Sequence, residues 1–329
     1  MGDLQRVDEK GSIPDFVRSD FEYLATDTNL VSTAGKSIVQ RIRENAMMQA
    51  ETLGNDYVQL RGEQQSLLVE CPLYTSSDSL ALNRYRDVIP YAHNRVVLRD
   101  GSPSDYINAS WVREDGMSYI ACQGPLEHTS ESFWLMIVEQ GVPTVIMLTG
   151  LRERGRDKCH GYFPQGQHVV AFGCVKVRCE EVVDRGGVVE RNLEVTVRNE
   201  RPWHVKHYHL RTWPDHGVPD SPSAIYGILD VLYRHHGDGT TSSSPAVVHC
   251  SAGIGRTGVL IVLDILRARM SQLVHGKEGN IDERIHVKSI VASIRKQRAG
   301  MVQTLPQLKF CIDTLVDMCN IILVALQAE

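Results

Sequence analysis

His249-Cys250-Ser251-Ala252-Gly253-Ile254-Gly255-Arg256-Thr257-Gly258 is the stretch that decides the fold of this 329-residue chain. The apolar run 246–248 before it is typical of a buried strand, and the run 259–266 after it is typical of a buried helix. The stretch therefore predicts a loop between a strand end and a helix N-terminus, where unpaired backbone N–H groups favour an anion. Its glycines allow the backbone amides to converge on one point.

Two side chains of this loop carry the expected chemistry. The anion-binding field favours thiolate over thiol, so we expect the pKa of Cys250 to lie within about 3.5–7.5. Arg256 supplies a planar, two-pronged donor for two oxygens of a phosphate, and the backbone amides of residues 251–256 would hold it as well. A cysteine and an arginine at this spacing also fit a buried thiol in a glycine-rich turn, but the complete string of ten residues favours a nucleophilic site.

A second segment offers a proton donor. Trp213-Pro214-Asp215-His216-Gly217-Val218-Pro219 places one carboxylate between two prolines and a glycine. A phenolate leaves more readily when it is protonated as it departs, and a positioned acid contributes about 10²–10⁴-fold. Alone the segment fits an ordinary turn, and Asp215 is the candidate for a general acid within it.

Further motifs follow one another in a fixed order along most of the chain. The motifs are Asn83-Arg84-Tyr85-Arg86-Asp87-Val88-Ile89-Pro90-Tyr91, Asp105-Tyr106-Ile107-Asn108-Ala109-Ser110, Tyr119-Ile120-Ala121-Cys122-Gln123-Gly124-Pro125-Leu126, Phe133-Trp134-Leu135-Met136-Ile137 and Gln297-Arg298-Ala299-Gly300-Met301-Val302-Gln303-Thr304. Together with the loop around Cys250 and the segment around Asp215, they resemble the protein tyrosine phosphatases, and in particular the branch specific for phosphotyrosine.

The resemblance implies roles in substrate binding. Tyr85 would form a wall of a deep pocket, Asp87 would accept hydrogen bonds from the substrate backbone, and Val88 belongs to the same binding loop. Lys158, in a flexible loop with Glu153, would reach towards the acid segment. The phosphate would lie among the amides of Ser251, Ala252, Gly253, Ile254 and Gly255.

The resemblance also implies a reaction in which Cys250 attacks phosphorus and Asp215 first donates and then removes a proton. Gln303 would hold the hydrolytic water, and Gln307 would orient the phosphate and that water. His249 would tune the loop and the thiolate by hydrogen bonding, and the Thr257 hydroxyl would stabilise the sulfur as a leaving group. Departures from the family pattern indicate a divergent member, at Leu82, Ala92, Val138, Phe163 and Leu308.

The interleaved strand and helix patterns predict an α/β-type fold with a twisted mixed sheet flanked by helices. We expect a polar lead-in over 1–20 and a single catalytic domain over 21–329. Helices are expected at 21–24, 37–53, 223–234, 258–272, 285–296 and after 304, strands at 119–121, 144–148, 169–177 and 193–197, a hairpin at 182–189, a polar stretch through 79 and a solvent loop at 235–244.

Composition excludes several other classes. A net charge of −5 gives no nucleic-acid signal, and the apolar run 321–326 is shorter than the ~20 residues that span a bilayer. Eight cysteines without Cys-x-x-Cys spacing, and a charged N-terminus unlike a signal peptide, predict a cytoplasmic protein with reduced thiols. We expect a monomer that needs no cofactor, with phosphotyrosine proteins as its substrates.

Three alternatives stay open at this level. His204, His207 and His209 suggest a metal site, but no Cys or Asp stands at ligand spacing, and we expect no metal. A catalytically inactive phosphotyrosine-binding module would be expected to lack Cys250, Arg256 or Asp215. A dual-specificity or phosphoinositide phosphatase would share only the cysteine and the arginine, and Tyr85 argues against it because a deep pocket excludes the shorter phosphoserine.

Overall fold

The computed structural model describes residues 33–76, 79–99, 104–214, 217–236, 244–276 and 279–325. The strands in these ranges are β1 (Arg95–Val97), β2 (Tyr106–Glu114), β3 (Met117–Cys122), β4 (Thr144–Met147), β5 (Arg152–Glu153), β6 (Arg156–Asp157), β7 (Val169–Phe172), β8 (Val175–Asp184), β9 (Val188–Val197), β10 (Trp203–Leu210) and β11 (Ala246–His249). The helices are α1 (Thr33–Glu70), α2 (Ser130–Glu139), α3 (Ser223–His236), α4 (Gly255–Val274), α5 (Ile281–Arg284), α6 (Val287–Arg295) and α7 (Leu305–Ala325).

The strand β11 lies in the middle of the main sheet. In the described part of the chain the order is β1-β2-β3-β11-β4-β10-β9-β8-β7. The four strands β3, β11, β4 and β10 are parallel to one another, and the remaining pairs are antiparallel. Ligands of α/β sheets bind beyond the carboxyl ends of such parallel strands. His249 and Cys250 lie at that edge, because β11 ends there. The prediction of a mixed central sheet flanked by helices is confirmed.

Each face of the sheet is covered by its own apolar cluster. Side chains alternate along a strand, so Ala246 and Val248 join one cluster while Val247 joins the other. The first cluster contains buried residues of α1, α3, α4, α6 and α7, and the second contains the buried face of α2. Because β11 and the start of α4 are enclosed in this way, the loop between them is held at both ends.

Several element boundaries differ from the sequence prediction. The helix expected at 37–53 runs from Thr33 to Glu70, so the polar stretch expected after it is wrong over 54–70. The physical reason is packing: Leu60 and Leu67 are buried although their neighbours are polar. The strand expected at 169–177 is divided at Gly173, whose φ is +56°, into β7 and β8. The helix expected at 285–296 corresponds to α6, and the separate short helix α5 precedes it.

The loop expected at 235–244 is also partly wrong. His235 and His236 belong to α3, and the His236 side chain is fully buried because its ring bonds Asp264 and stacks edge-on against Tyr119. Residues 237–243 lie outside the described residues, as do the lead-in over 1–20 and the helix expected at 21–24. The hairpin at 182–189 is confirmed, with its turn at Gly186 and Gly187 between β8 and β9.

Candidate active site

The loop between β11 and α4 wraps around the sulfur of Cys250. Cys250 directly follows β11, and α4 begins at Gly255. The backbone N–H of Gly253 donates a hydrogen bond to Cys250 Sγ over 3.2 Å. A Cβ at position 253 would lie 2.1 Å from the carbonyl oxygen of Cys122, and φ there is +73°, so only glycine fits. The curled loop therefore requires the residue that the sequence supplies.

The loop holds Cys250 in a state that favours the thiolate. Burial alone would raise the pKa of Cys250, but the hydroxyl and backbone N–H of Thr257, the charge of Arg256 and the Gly253 N–H together bring that pKa below its ordinary value. The Thr257 Oγ1 atom is buried and has no hydrogen-bond partner among the described residues. The direction of this shift agrees with the sequence prediction for Cys250.

A buried arginine holds the outer side of the loop. Arg298 is 1% exposed and donates from Nε to the Gly253 carbonyl over 2.8 Å and from Nη2 to the Ala252 carbonyl over 3.0 Å. It also donates to Asn108 Oδ1 over 2.7 Å and to Ser110 Oγ over 3.1 Å on β2. With these carbonyls directed towards Arg298, the loop is braced against the sheet.

His249 lies in a buried chain of hydrogen bonds beside the loop. Its Nδ1 is 3.0 Å from the Cys250 carbonyl, its Nε2 is 2.7 Å from the Tyr162 hydroxyl, and that hydroxyl is 2.8 Å from His207 Nε2. Burial lowers the pKa of His249 to about 4, so the ring is neutral at pH 7. A carbonyl only accepts, hence Nδ1–H donates to Cys250, Tyr162 donates to His249, and His207 Nε2–H donates to Tyr162. His249 therefore orients the backbone of Cys250 rather than bonding the sulfur.

Arg256 is paired with a carboxylate from the hairpin β5–β6. Its Nη1 donates to Glu153 Oε1 over 2.7 Å and to the Leu148 carbonyl over 2.8 Å. Its Nη2 donates to Glu153 Oε2 and to the Pro214 carbonyl, both over 3.0 Å. Burial would raise the pKa of Glu153, but the hydrogen bonds and charge of Arg256 bring it below its ordinary value. These four bonds use the Nη hydrogens and leave Nε–H as a further donor of the fork.

Most predicted site residues surround one cleft of about 290 Å³. The Tyr85 hydroxyl is 2.9 Å from Ser251 Oγ, which donates to the Lys158 carbonyl over 2.9 Å. The predicted residues that line the cleft are Tyr85, Asp87, Val88, Lys158, Cys250, Ser251, Ala252, Gly255, Arg256, Gln303 and Gln307. His249, Gly253, Ile254 and Thr257 lie behind them in the loop and in the buried core.

The segment with the predicted acid approaches the same cleft. Asp215 and His216 lie outside the described residues. Of the residues on either side, Pro214 accepts the hydrogen bond from Arg256 and Gly217 lines the cleft. The two described neighbours of Asp215 and His216 are therefore both at the site.

The glutamine segment lies against the N-terminal end of α4. Gln307 Oε1 accepts from the backbone N–H of Gln303 over 2.8 Å and from that of Thr304 over 3.3 Å. Thr304 Oγ1 in turn accepts from Gln307 N over 3.3 Å, which is a capping box at the start of α7. A Cβ at Gly255 would lie 2.9 Å from Gln307 Nε2, so a larger residue here would move the end of the Gln307 side chain.

The three histidines near β10 have other partners. His207 bonds Tyr162, His209 Nε2 donates to the Thr149 carbonyl over 2.9 Å, and His204 lies on the surface beside Glu180. Burial lowers the pKa of His209 to about 4, so its ring is neutral. The rings of His207 and His209 thus form hydrogen bonds with Tyr162 and with the Thr149 carbonyl beside the site.

Three comparisons relate the chain to known proteins. The family model of the protein-tyrosine phosphatases matches residues 79–317. The chain belongs to the protein-tyrosine phosphatase family. It is 39% identical over 245 residues to tyrosine-protein phosphatase 1 of Caenorhabditis elegans, which covers 72% of this chain and 23% of the worm protein.

Two further relatives and one solved structure are also tyrosine phosphatases by name. Over 262 residues it is 37% identical to protein-tyrosine-phosphatase PTP1 of Arabidopsis thaliana, covering 76% of this chain and 74% of the plant protein. Over 311 residues it is 34% identical to human tyrosine-protein phosphatase non-receptor type 4, covering 90% of this chain and 31% of that protein. The fold matches the crystal structure of the catalytic domain of human protein tyrosine phosphatase non-receptor type 18 with a TM-score of 0.74 and 30% identity, over 84% of this chain and 99% of that domain.

The chain thus spans a quarter to a third of the length of the worm and human relatives. Among the helices that the structure describes, each is too short or too polar to cross a membrane.

Sequence reasoning missed two features of the site. Arg298 stands in a motif that the sequence analysis quoted, but nothing in its residue type signals burial under the loop. The pairing of Glu153 with Arg256 joins residues 103 positions apart, and only the position of the hairpin β5–β6 makes it visible.

Proposed function

We propose that this protein is a tyrosine phosphatase that hydrolyses phosphotyrosine in proteins through a cysteinyl-phosphate intermediate. The observation that carries the proposal is Cys250 at the carboxyl end of β11, with a lowered pKa, in a cleft that also contains Tyr85, Arg256 and Gln303. A thiolate, a phosphate-binding fork and a wall for an aromatic ring are the groups that this reaction needs.

In the first step the Cys250 thiolate attacks phosphorus in line with the leaving tyrosine oxygen. The S–P bond forms as the P–O bond breaks, and Asp215 gives its proton to the tyrosine oxygen. The loop amides and Arg256 stabilise the equatorial oxygens, while Glu153 keeps the Arg256 guanidinium in the cleft. Tyr85 packs against the substrate ring, and Asp87 and Val88 bind the substrate backbone.

In the second step water attacks the cysteinyl phosphate. Gln303 holds the water and Gln307 helps to orient it, while the Asp215 carboxylate takes its proton. The S–P bond breaks, inorganic phosphate leaves, and the thiolate returns, stabilised by Thr257. Lys158 lines the cleft, and in our proposal its side chain reaches towards the acid segment.

The family membership supports this activity over a binding module or a phosphoinositide phosphatase. We assign residues 21–329 to one catalytic domain, with 1–20 as a lead-in. We further propose that the protein acts in the cytoplasm as a monomer. The term non-receptor in the name of the human type 4 relative supports the location. Its partners would be phosphotyrosine proteins.

Asp215→Ala tests the role of the acid. Turnover of a phosphotyrosine peptide should fall about 10²–10⁴-fold, because the tyrosine oxygen then leaves unprotonated. The loss should be smaller with p-nitrophenyl phosphate, whose phenol leaves readily without a proton. Cys250→Ser is the control and should abolish turnover of both substrates. Equal losses of kcat for the two substrates in Asp215→Ala would exclude Asp215 as the acid.

A comparison of phosphotyrosine and phosphothreonine peptides of one sequence, in the same assay, separates the proposed function from its alternatives. A tyrosine phosphatase turns over the first and not the second, a dual-specificity enzyme turns over both, and a binding module turns over neither.

A further inference from the structure

The backbone before Gln303 is held in a strained conformation. Val302 has a φ of +56°, which is unfavourable for a β-branched residue because its Cβ clashes with the backbone. Such a conformation persists only where surrounding contacts hold it, and it concentrates at functional sites. One contact comes from the catalytic loop, since Val302 N donates to the Ile254 carbonyl over 3.0 Å. The strained residue lies directly before the proposed water-holding glutamine.

Helix α1 supplies further contacts to the same backbone. The Tyr57 hydroxyl donates to the carbonyl oxygen of Gln303 itself over 3.0 Å. Gln64 Oε1 accepts from the backbone N–H of Gly300 over 3.1 Å. The segment 300–303 is therefore bonded at both of its ends by side chains of one helix.

A buried arginine connects the helix to the middle of that segment. Arg295 is 4% exposed and donates from Nε to the Met301 carbonyl and from Nη2 to the Val302 carbonyl, both over 2.8 Å. Its Nη1 donates to the Leu60 carbonyl of α1 over 2.7 Å. Tyr57, Leu60 and Gln64 are spaced i, i+3 and i+7, so they lie on one face of the helix. Tyr57 and Gln64 bond the segment 300–303 directly, and the Leu60 carbonyl is joined to it through Arg295.

We propose that Tyr57 is a positioning residue for the second step, in which water cleaves the cysteinyl phosphate. Its hydroxyl fixes the Gln303 backbone, so that the Gln303 side chain holds the attacking water in line with the S–P bond. Misplacing a reacting group by small distances lowers a rate strongly. The helix lies outside residues 79–317, which the family model matches. The inference rests on the proposed function, since it assigns one half of that reaction to this contact.

Tyr57→Phe in the full chain tests the proposal, with p-nitrophenyl phosphate as substrate. Formation of the intermediate does not use the water, so kcat/KM should stay at the wild-type value. Acid quenching within milliseconds, followed by mass analysis of the Cys250 peptide, gives the rate at which the cysteinyl phosphate disappears. That rate should fall about threefold to tenfold, the effect of losing one hydrogen bond. Gln64→Leu, which removes the acceptor for Gly300 N–H, should change the same rate in the same direction.

Tyr74→Phe is the matched control. Tyr74 is also a half-buried tyrosine, but it stacks on Tyr106, and it should leave both the disappearance rate and kcat/KM unchanged. An unchanged disappearance rate in Tyr57→Phe and Gln64→Leu would overturn the proposal. So would a parallel fall in kcat/KM and in the amplitude of the nitrophenol burst, since that result indicates a smaller folded fraction. A wild-type chain that forms no cysteinyl phosphate would instead contradict the proposed function, and this inference with it.

Discussion

At the scale of single residues, the environment separates Cys250 from four other buried cysteines. Burial raises the pKa of Cys122 and of Cys319 to about 12, and it also raises the pKa of Cys159 and Cys311. The pKa of Cys250 is lowered in spite of its burial, because the loop supplies hydrogen bonds and a nearby cation. Burial alone therefore makes a thiol inert, while burial among donors makes it reactive.

A short pulse of peroxide should oxidise Cys250 before the other seven cysteines, because the thiolate is the reactive form. The first product is a sulfenic acid, which can condense with the backbone nitrogen of Ser251 and is returned to the thiol by reduction. Mass mapping of all eight cysteines measures the order of reaction, and inorganic phosphate should slow the loss of activity by occupying the loop. Earlier modification of another cysteine, or activity that added thiol does not restore, would show that the loop does not favour the thiolate.

At the scale of elements, the hairpin β5–β6 determines where Arg256 lies. Glu153 is 8% exposed and also accepts from Thr149 Oγ1 over 2.8 Å and from Gly150 N over 2.9 Å. The carboxylate is therefore fixed before Arg256 binds to it. The pKa of Glu153 is lower in the folded chain than in the unfolded chain, where it is about 4.3. The Glu153–Arg256 pair therefore stabilises the folded state fully at a pH above the unfolded pKa. This stabilisation is lost as the pH falls through the folded pKa.

Glu153→Ala should lower kcat/KM about tenfold to a hundredfold, because Arg256 loses the charged partner that keeps it in the cleft. Hydrogen bonds to a charged group contribute about 1.5–3 kcal/mol, which corresponds to this change in rate. Affinity for vanadate, measured as an inhibition constant, should weaken by a similar factor. Asp157→Asn is the control on the same hairpin, because its contact with Arg152 is 3.8 Å long and exposed. If both substitutions have the same effect on kcat/KM, the hairpin matters for a reason other than the Glu153–Arg256 pair.

At the scale of the whole molecule, a buried ionic cluster joins the sheet to two helices. Asp264 of α4 is fully buried and accepts hydrogen bonds from Tyr119 of β3 over 2.6 Å and from Arg267 over 2.9 Å, and its Oδ2 is 3.0 Å from His236 of α3. Burial would raise the pKa of Asp264, but His236 and Arg267 bring it below its ordinary value. The helix that begins at the catalytic loop is thus tied to the centre of the sheet.

Asp264→Ala should lower the free energy of unfolding by about 3–5 kcal/mol, because it leaves buried donors and a buried cation without their partner. Urea denaturation followed by fluorescence measures the change. Asp313→Ala, which removes an exposed i,i+4 pair with Lys309, should cost only about 0.3–0.5 kcal/mol. The unfolded pKa of an aspartate is about 3.9. Below it, the difference in the free energy of unfolding between wild type and Asp264→Ala should become smaller as the pH falls through the folded pKa of Asp264. A gap that widens on acidification would mean that the carboxylate is not the stabilising form.

The sequence by itself determined the chemistry and the fold class. The glycine spacing around Cys250 and Arg256 specifies a loop, since those positions require glycine, and apolar runs on either side specify a strand and a helix. Two glycines between two pairs of valines placed the hairpin at 182–189. These signals are local, because each depends on residues within a few positions of one another.

Only the tertiary structure decided how the parts of the site are held. The pairing of Glu153 with Arg256, the brace of Arg298 and the contact of Tyr57 with Gln303 join residues that are 45 to 246 positions apart. The sequence also did not predict the full length of α1, because the second half of this helix is polar. That half is helical because Tyr57, Leu60 and Gln64 on one of its faces pack against residues that are distant in the sequence. Such contacts produce no local sequence pattern, because residues of these types also occur on protein surfaces. Only the folded chain determines which residue each of them contacts.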